Sequence, residues 1–325
     1  MNRREFLKDT AMVAGAVATS GVLGGHAAAD TNTPVVWHWQ ECSPENLLKA
    51  LGKIRDQLPG KIAVKLHSGE PHGPNIIPPA WVKELVTALA DAQAVECNVL
   101  YNSPRKTTEG HHKAMETNGW GISIDIMDAD GDTPLPVGKG FHLKEVAVGK
   151  NLLTYDSLLI LTHFKGHAMG GFGGSLKNIA IGCASGRLGK AQVHGVDKPG
   201  AAEKSYLEWP MKEWFMEAMA DSGKAITDHF KGRYACINVL RRMSVDCDCA
   251  GTSAAEPKAP DLGILASTDI LAIDQASIDL VYALPEKDKK DLVERIESRK
   301  GLRQLSAMEE LGMGSRKYRL VEERA

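Results

Sequence analysis

Short apolar runs alternate with stretches of helical period from residue 35 almost to residue 300, separated by turn-forming residues. VVWHW at 35–39 predicts a strand, and Ser43 followed by Pro44 predicts a helix start, with the helix running to about Gln57. KIAVKLH at 61–67 predicts the next strand, followed by a Gly/Pro loop and a helix over 79–91. AVECNVLY and a helix over 109–118 repeat the scheme, and SIDIMDA, HLKEVAV and DSLLILTHF supply further strands. The last of these is almost wholly apolar, as a strand covered on both faces must be, which places it centrally in a sheet. A second block holds a helix over 209–230, the strand YACINVLRRM, a CDCAG turn, an irregular loop GTSAAEPKAP, the strand DLGILAS, and helices over 274–283 and 286–297. The pattern predicts an α/β fold, a mixed and mostly parallel sheet flanked by helices, in one domain over residues 30–325.

The stretch HFKGHAMGGFGGSLKN at 163–178 follows the central strand directly. Ligands of open α/β sheets gather at the carboxyl ends of the strands, so this position nominates it as site-lining. Gly170, Gly171, Gly173 and Gly174 precede Ser175, a candidate helix cap, and Lys177 and Asn178 follow. A turn of this kind presents backbone N–H groups at a positive helix end, which suits an anion. It matches neither a Walker loop nor the dinucleotide fingerprint. A plain tight turn that needs positive φ is the alternative, and both readings can hold.

His163 and His167 stand four apart, but Gly166 lies between them and glycines follow, so a loop rather than a helix is expected there. Cys247-Asp248-Cys249 places two thiols one residue apart, and thiolates are the ligands that zinc, copper and iron-sulfur clusters select. Two sulfurs do not close a site, so Cys183, Cys236 or a histidine must complete it. Long-range disulfides to Cys183 and Cys236 are the alternative. Lys65, His67 and Glu70 lie at the end of a predicted parallel strand on the same sheet edge, and Asp269 and Asp274 follow DLGILAS, where either suits a helix cap. Lys165 and Lys177 would offset thiolate charge or hold an anionic ligand.

Composition narrows the classes. A formal charge of -2 among 325 residues gives no clustered basic excess for a nucleic-acid partner. Residues 1–29 carry Arg3-Arg4, then Glu5-Phe6-Leu7-Lys8, a weakly apolar run and Ala27-x-Ala29, which is the pattern of a twin-arginine export signal cleaved before Asp30. The expectation is a periplasmic or otherwise extracytoplasmic protein with no membrane span after signal removal. Such export moves folded proteins and favours a cofactor inserted beforehand. No Gly-x-Ser-x-Gly elbow occurs, and no catalytic residue is assigned.

The segments KLHSGE, LYNSPR, HFKGHAMGGFGGSLKNIAIGCASGRLGK, VHG, INVLRRMSVDCDC, DLGILASTDILAIDQASIDLV and GMGSRKYRLVE closely resemble, in order, the family called domain of unknown function 362, often labelled iron-sulfur centre proteins. Many similar members carry a cysteine-rich, ferredoxin-like insert after the histidine that corresponds to His194. Here the chain runs from His194 to Trp209 without a cysteine. What the resemblance leaves is a core site: His67, His163, His167, His194, Cys183, Cys247 and Cys249 as metal donors, with Lys65, Lys165, Lys177, Asn178 and the glycines toward a ligand. An iron-sulfur cluster or a single iron or zinc ion is the expected cofactor, and a small anionic ligand or a redox partner the expected company. An exported redox metalloprotein leads, followed by a non-redox metal-dependent enzyme and by a non-catalytic anion- or metal-binding protein.

Overall fold

A computed structural model of the chain describes residues 33–198 and 208–324. The export signal expected over residues 1–29 lies outside them. In chain order the elements begin with β1 (Val35–Trp39), α1 (Pro44–Ile54), β2 (Ile62–Lys65), α2 (Pro79–Thr87), β3 (Ala92–Glu96), α3 (Thr108–Thr117) and β4 (Ile124–Ile126). A hairpin of β5 (Asp132–Pro136) and β6 (Glu145–Gly149) leads to β7 (Ser157–His163). Next come β8 (Lys165–His167), β9 (Gly171–Gly173), α4 (Ser175–Gly182) and α5 (Gly189–Val193). The remainder is α6 (Glu213–Phe230), β10 (Tyr234–Leu240), β11 (Gly263–Ser267), α7 (Ile270–Ala283), α8 (Glu286–Ser298), α9 (Arg303–Glu310) and β12 (Arg319–Glu322).

Eight strands form the main sheet in the order β12-β1-β11-β10-β7-β2-β3-β4. Only β11 is reversed, running antiparallel to both β1 and β10, while every other pairing in the sheet is parallel. The fold is therefore mixed α/β with a mostly parallel sheet, as the alternation predicts. All seven residues of β7 are buried between β10 and β2, which accounts for the unbroken apolar run LLIL. Two apolar layers cover the sheet. One packs Leu158, Ile160, Leu176, Ile179, Phe215 and Met219 together, and the other packs Leu47, Ile54, Val64, Leu159, Leu161 and Ile237. Among the described residues, no helix is long and apolar enough to cross a membrane.

Three local expectations are corrected. Residues 165–173 form a small antiparallel ladder with Lys165 opposite Gly173 and His167 opposite Gly171, where a loop was expected. The helix expected from Asp274 starts at Ile270, because Asp269 accepts the Ala272 N–H and caps it. Asp274 instead reaches across to α4, accepting the Ser175 and Leu176 N–H groups at 2.7 and 2.9 Å.

Candidate functional site

The carboxyl ends of β2, β3 and β7, together with α4 and the turn after β10, enclose a cavity of about 470 Å³. Lys65, His67, Glu96, His167, Lys177, Asn178, His194, Cys247 and Cys249 line it. This is the strand edge where open α/β sheets collect their ligands.

The sulfurs come from a short 3₁₀ segment, Asp248–Ser253, and from Cys247 just before it. Cys247 and Cys249 line the cavity, whereas the intervening Asp248 turns into the protein. Its carboxylate accepts from Lys165 Nζ at 2.8 Å and from His163 Nδ1 at 2.8 Å, and all three residues are buried. Burial alone would raise the Asp248 pKa, but His163 and Lys165 outweigh it and hold the carboxyl well below the usual range. The approach of this turn to β8 requires a glycine: a Cβ on Gly166 would sit 2.3 Å from the Val245 carbonyl oxygen. From the other side, Glu70 N–H donates to the Asp248 carbonyl, and its carboxylate is held by Ser103 and Arg105.

Around the sulfurs the imidazoles differ in what they present. His67 Nε2 stands 3.5 Å from Cys247 Sγ, and Glu96 lies 3.4 Å from its Nδ1. His67 Nδ1 faces both the Glu96 carboxylate and the Gly69 N–H at 3.4 Å, and Nε2 faces the sulfur; a carboxylate behind the ring is the arrangement usual for metal-binding histidines. His167, Cys247 and Cys249 form a group whose donor atoms all lie within 4.8 Å of one another. His167 Nδ1, however, accepts the Gly170 and Met169 N–H groups at 2.8 and 3.2 Å, so its neutral ring carries the proton on Nε2. Burial, then Lys177, push its pKa well down. His194 has the opposite tautomer: Nδ1 donates to the Lys190 carbonyl at 2.7 Å, leaving Nε2 as the acceptor, and burial lowers its pKa to about 4.

Cys247 is the activated thiol. A hydrogen bond from Cys249 lowers its pKa, and Lys177, whose Nζ stands 4.0 Å from the sulfur, helps to overcome the cost of burial. Cys249, as the donor, is correspondingly raised. All six cysteines are free thiols, so the disulfide alternative does not describe this structure.

Other expected residues are buried or committed to protein partners, two of them away from the cavity wall. His163 is absent from the cavity wall, with both ring nitrogens committed, Nδ1 to Asp248 and Nε2 to the Arg241 carbonyl at 2.6 Å. Cys183 is buried at the end of α4 and does not line the cavity; burial pushes its pKa to about 12. Lys65 pairs with Glu96 at 3.0 Å, and Lys165 with Asp248. Asn178 braces the sheet, donating to the Leu161 carbonyl at 2.9 Å and accepting from Lys65 Nζ at 3.0 Å.

Nor do the glycines cradle an external anion. Asp274 already takes the α4 N-terminal amides, and a Cβ on Gly174 would lie 2.4 Å from its carboxylate oxygen. Gly171 (φ +75) lets the Gly301 backbone approach to a distance of 2.8 Å from where a Cβ would be. The turn is thus filled by the chain itself. Glu96, Arg105, Lys190 and Trp209 line the cavity without having been singled out in the sequence. For Glu96 a signal existed, its place at the end of a strand; for Trp209 there was none.

The donor set suits one soft or borderline ion better than a four-thiolate cluster. Metal–sulfur and metal–nitrogen bonds of roughly 2.3 and 2.1 Å at a tetrahedral angle separate the two donors by about 3.6 Å. The observed 3.5 Å between His67 and Cys247 fits that value.

The family model described as domain of unknown function (DUF362) matches residues 62–279. No curated protein matches the chain. Among solved structures, the lactate racemase apoprotein from Thermoanaerobacterium thermosaccharolyticum is similar at 16% identity, with a TM-score of 0.40. The match covers 64% of this chain and 51% of that one, so the chain spans about half the length of that protein.

Proposed function

The chain belongs to the domain of unknown function (DUF362) family, and we propose that it is an exported, metal-dependent protein of redox type. Cys247, Cys249 and His67 hold one iron or zinc ion at the edge of the cavity. The observation that carries this is the 3.5 Å separation of His67 Nε2 and Cys247 Sγ, with Glu96 behind the imidazole; Cys249 stands beside Cys247, the two sulfurs grouping with His167 within 4.8 Å. With two thiolates and one imidazole as its protein ligands, an ion would keep a fourth position for water or a substrate, a pattern of catalytic rather than structural sites. Bound there, the ion supplies electron transfer if it is iron, or Lewis acidity if it is zinc. His167, with its proton on Nε2, serves as a hydrogen-bond donor beside the sulfurs, and Lys177 offsets the charge of the Cys247 thiolate until an ion takes over that role. The twin-arginine pattern in residues 1–29 supports export of the folded, loaded protein.

Anaerobic loading with Fe(II), Zn(II) and Co(II), followed by elemental analysis, tests the site. One ion per chain and a cobalt–thiolate charge-transfer band are expected, both lost in Cys247→Ser/Cys249→Ser. A chain that retains no ion while all its thiols remain free overturns the reading. The second reading is a metal-free redox pair, favoured by the hydrogen bond between Cys249 and the Cys247 sulfur. Export is tested by fractionation: the protein moves to the cytoplasm when Arg3 and Arg4 are both replaced by Lys.

A further inference from the structure

The cavity has a second wall that the ion site does not use. Val99, Leu100, Met169, Ile181, Trp209 and Phe215 line it with apolar surface. His194 braces two of these side chains, its ring 5.3 Å from that of Trp209 and 4.9 Å from that of Phe215. A volume of about 470 Å³ falls in the size range of small-molecule sites.

Two polar groups on the wall lack protein partners suited to them. Trp209 Nε1–H is buried with no acceptor among the described residues, an arrangement that costs free energy unless something else accepts it. Among the described residues Lys177 has no carboxylate partner, only the Cys247 sulfur at 4.0 Å. Most other lining charges are answered. Glu96 lies 3.0 Å from Lys65, Glu70 lies 2.8 Å from Arg105, and Arg295 holds Asp246 at 3.0 Å. Lys190 donates to the Ala184 carbonyl at 2.6 Å and is fully inside. Once the Cys247 thiolate is committed to an ion, Lys177 has no counter-charge left.

One uncompensated ammonium, one unused neutral donor and an apolar wall define a ligand with one negative charge and an apolar body. We infer that this wall is a subsite for an organic monocarboxylate, its anionic end paired with Lys177, an oxygen accepting from Trp209 Nε1–H, and its carbon chain against Met169, Ile181 and Phe215. Inorganic phosphate fits poorly, because a second negative charge would find Arg105 and Lys65 already paired with Glu70 and Glu96, and Lys190 buried against the Ala184 carbonyl. The inference deepens the ion-site reading and rests on it for calling this ligand a substrate.

The test is calorimetric titration with hexanoate, acetate, hexanol and inorganic phosphate, on the purified chain and again after Zn(II) loading. Hexanoate is expected to bind at least tenfold more tightly than the other three. Lys177→Met should weaken hexanoate at least tenfold while leaving hexanol unchanged, and Lys177→Arg should retain most of the affinity. Trp209→Phe should weaken hexanoate about threefold or more, with circular dichroism and the urea midpoint confirming that each variant folds. The inference is overturned if hexanoate fails to bind in either state, if acetate or phosphate binds as well as hexanoate, or if Lys177→Met leaves hexanoate affinity intact. The titration needs no bound ion, so loss of carboxylate binding in an ion-loaded chain leaves the ion site standing. Hexanoate binding by a chain that retains no ion would refute the ion site alone.

Discussion

Replacing Asp248 by Asn tests whether a buried ion triad presents the two sulfurs. Asp248 Oδ2 accepts from both Lys165 Nζ and His163 Nδ1 at 2.8 Å, and the three side chains are at most 5% exposed. An amide keeps the shape but removes the charge, leaving the Lys165 ammonium buried without its partner. Breaking one side of such a pair costs about 3–5 kcal/mol, against a total domain stability of about 5–15 kcal/mol. Equilibrium urea unfolding at pH 7 should show a loss of that size in Asp248→Asn. Lys165→Met in the same chain should recover part of it, because the stranded charge is gone, so the double mutant should lose less than the sum of the single losses. Acid titration adds a sign. Asp248 is held below its unfolded value, so its stabilisation is present above about pH 4 and is lost as pH falls through the lower folded value. The variant should lack that share of the acid limb. A loss below about 1 kcal/mol, or strictly additive losses, would refute the triad as the support of the turn.

Gly166→Ala should displace the Val245–Cys249 segment, since the new Cβ would stand 2.3 Å from a backbone oxygen; ion affinity measured by chelator competition should fall at least tenfold. Iodoacetamide at pH 7, followed by peptide mass spectrometry, should modify Cys247 first, because its pKa is lowered while burial pushes Cys42 and Cys183 up to about 12. Earlier labelling of Cys42 would contradict the assignment. His194, lowered by burial to about 4, contributes stability that is complete above its unfolded value of 6.5 and is lost as pH falls to about 4, a share of about 3 kcal/mol. Urea midpoints measured from pH 7 to 4 should therefore fall less steeply in His194→Phe than in the parent chain.

The periodicity of the chain was enough to name most strands of the sheet, because each is buried or half-buried over a short run, and Ser43 marked the start of one helix by capping it. DSLLILTHF announced a central strand by having no polar face, and β7 lies between β10 and β2. The site was legible only where its chemistry is local. Cys247 and Cys249 advertise themselves by spacing, and His67 by standing at a strand end. His163 looked equivalent to His167, but the chain after β7 is an extended ladder, and His163 is taken by Asp248 and Arg241. The glycine turn seemed open because the carboxylate that fills it, Asp274, lies 99 residues from Ser175 and has no local signature. Glu96 and Trp209 join the cavity through strand order and helix packing, which no window of sequence contains.

The Cys-Asp-Cys turn shows why local reading stops where it does. In sequence the two outer residues stand out as thiol donors and the middle one carries no assignment. In the fold the outer two line the cavity while the middle one is buried between Lys165 and His163. That inward carboxylate sets the direction of the turn, since burying it unpaired would cost several kcal/mol. Lys165 and His163 are therefore conditions for the sulfurs to face the cavity rather than additional ligands. A residue nominated by its chemistry as a donor, as His163 is, can thus belong to the site through the turn it anchors, and only its partner Asp248, 85 residues away, distinguishes the two roles.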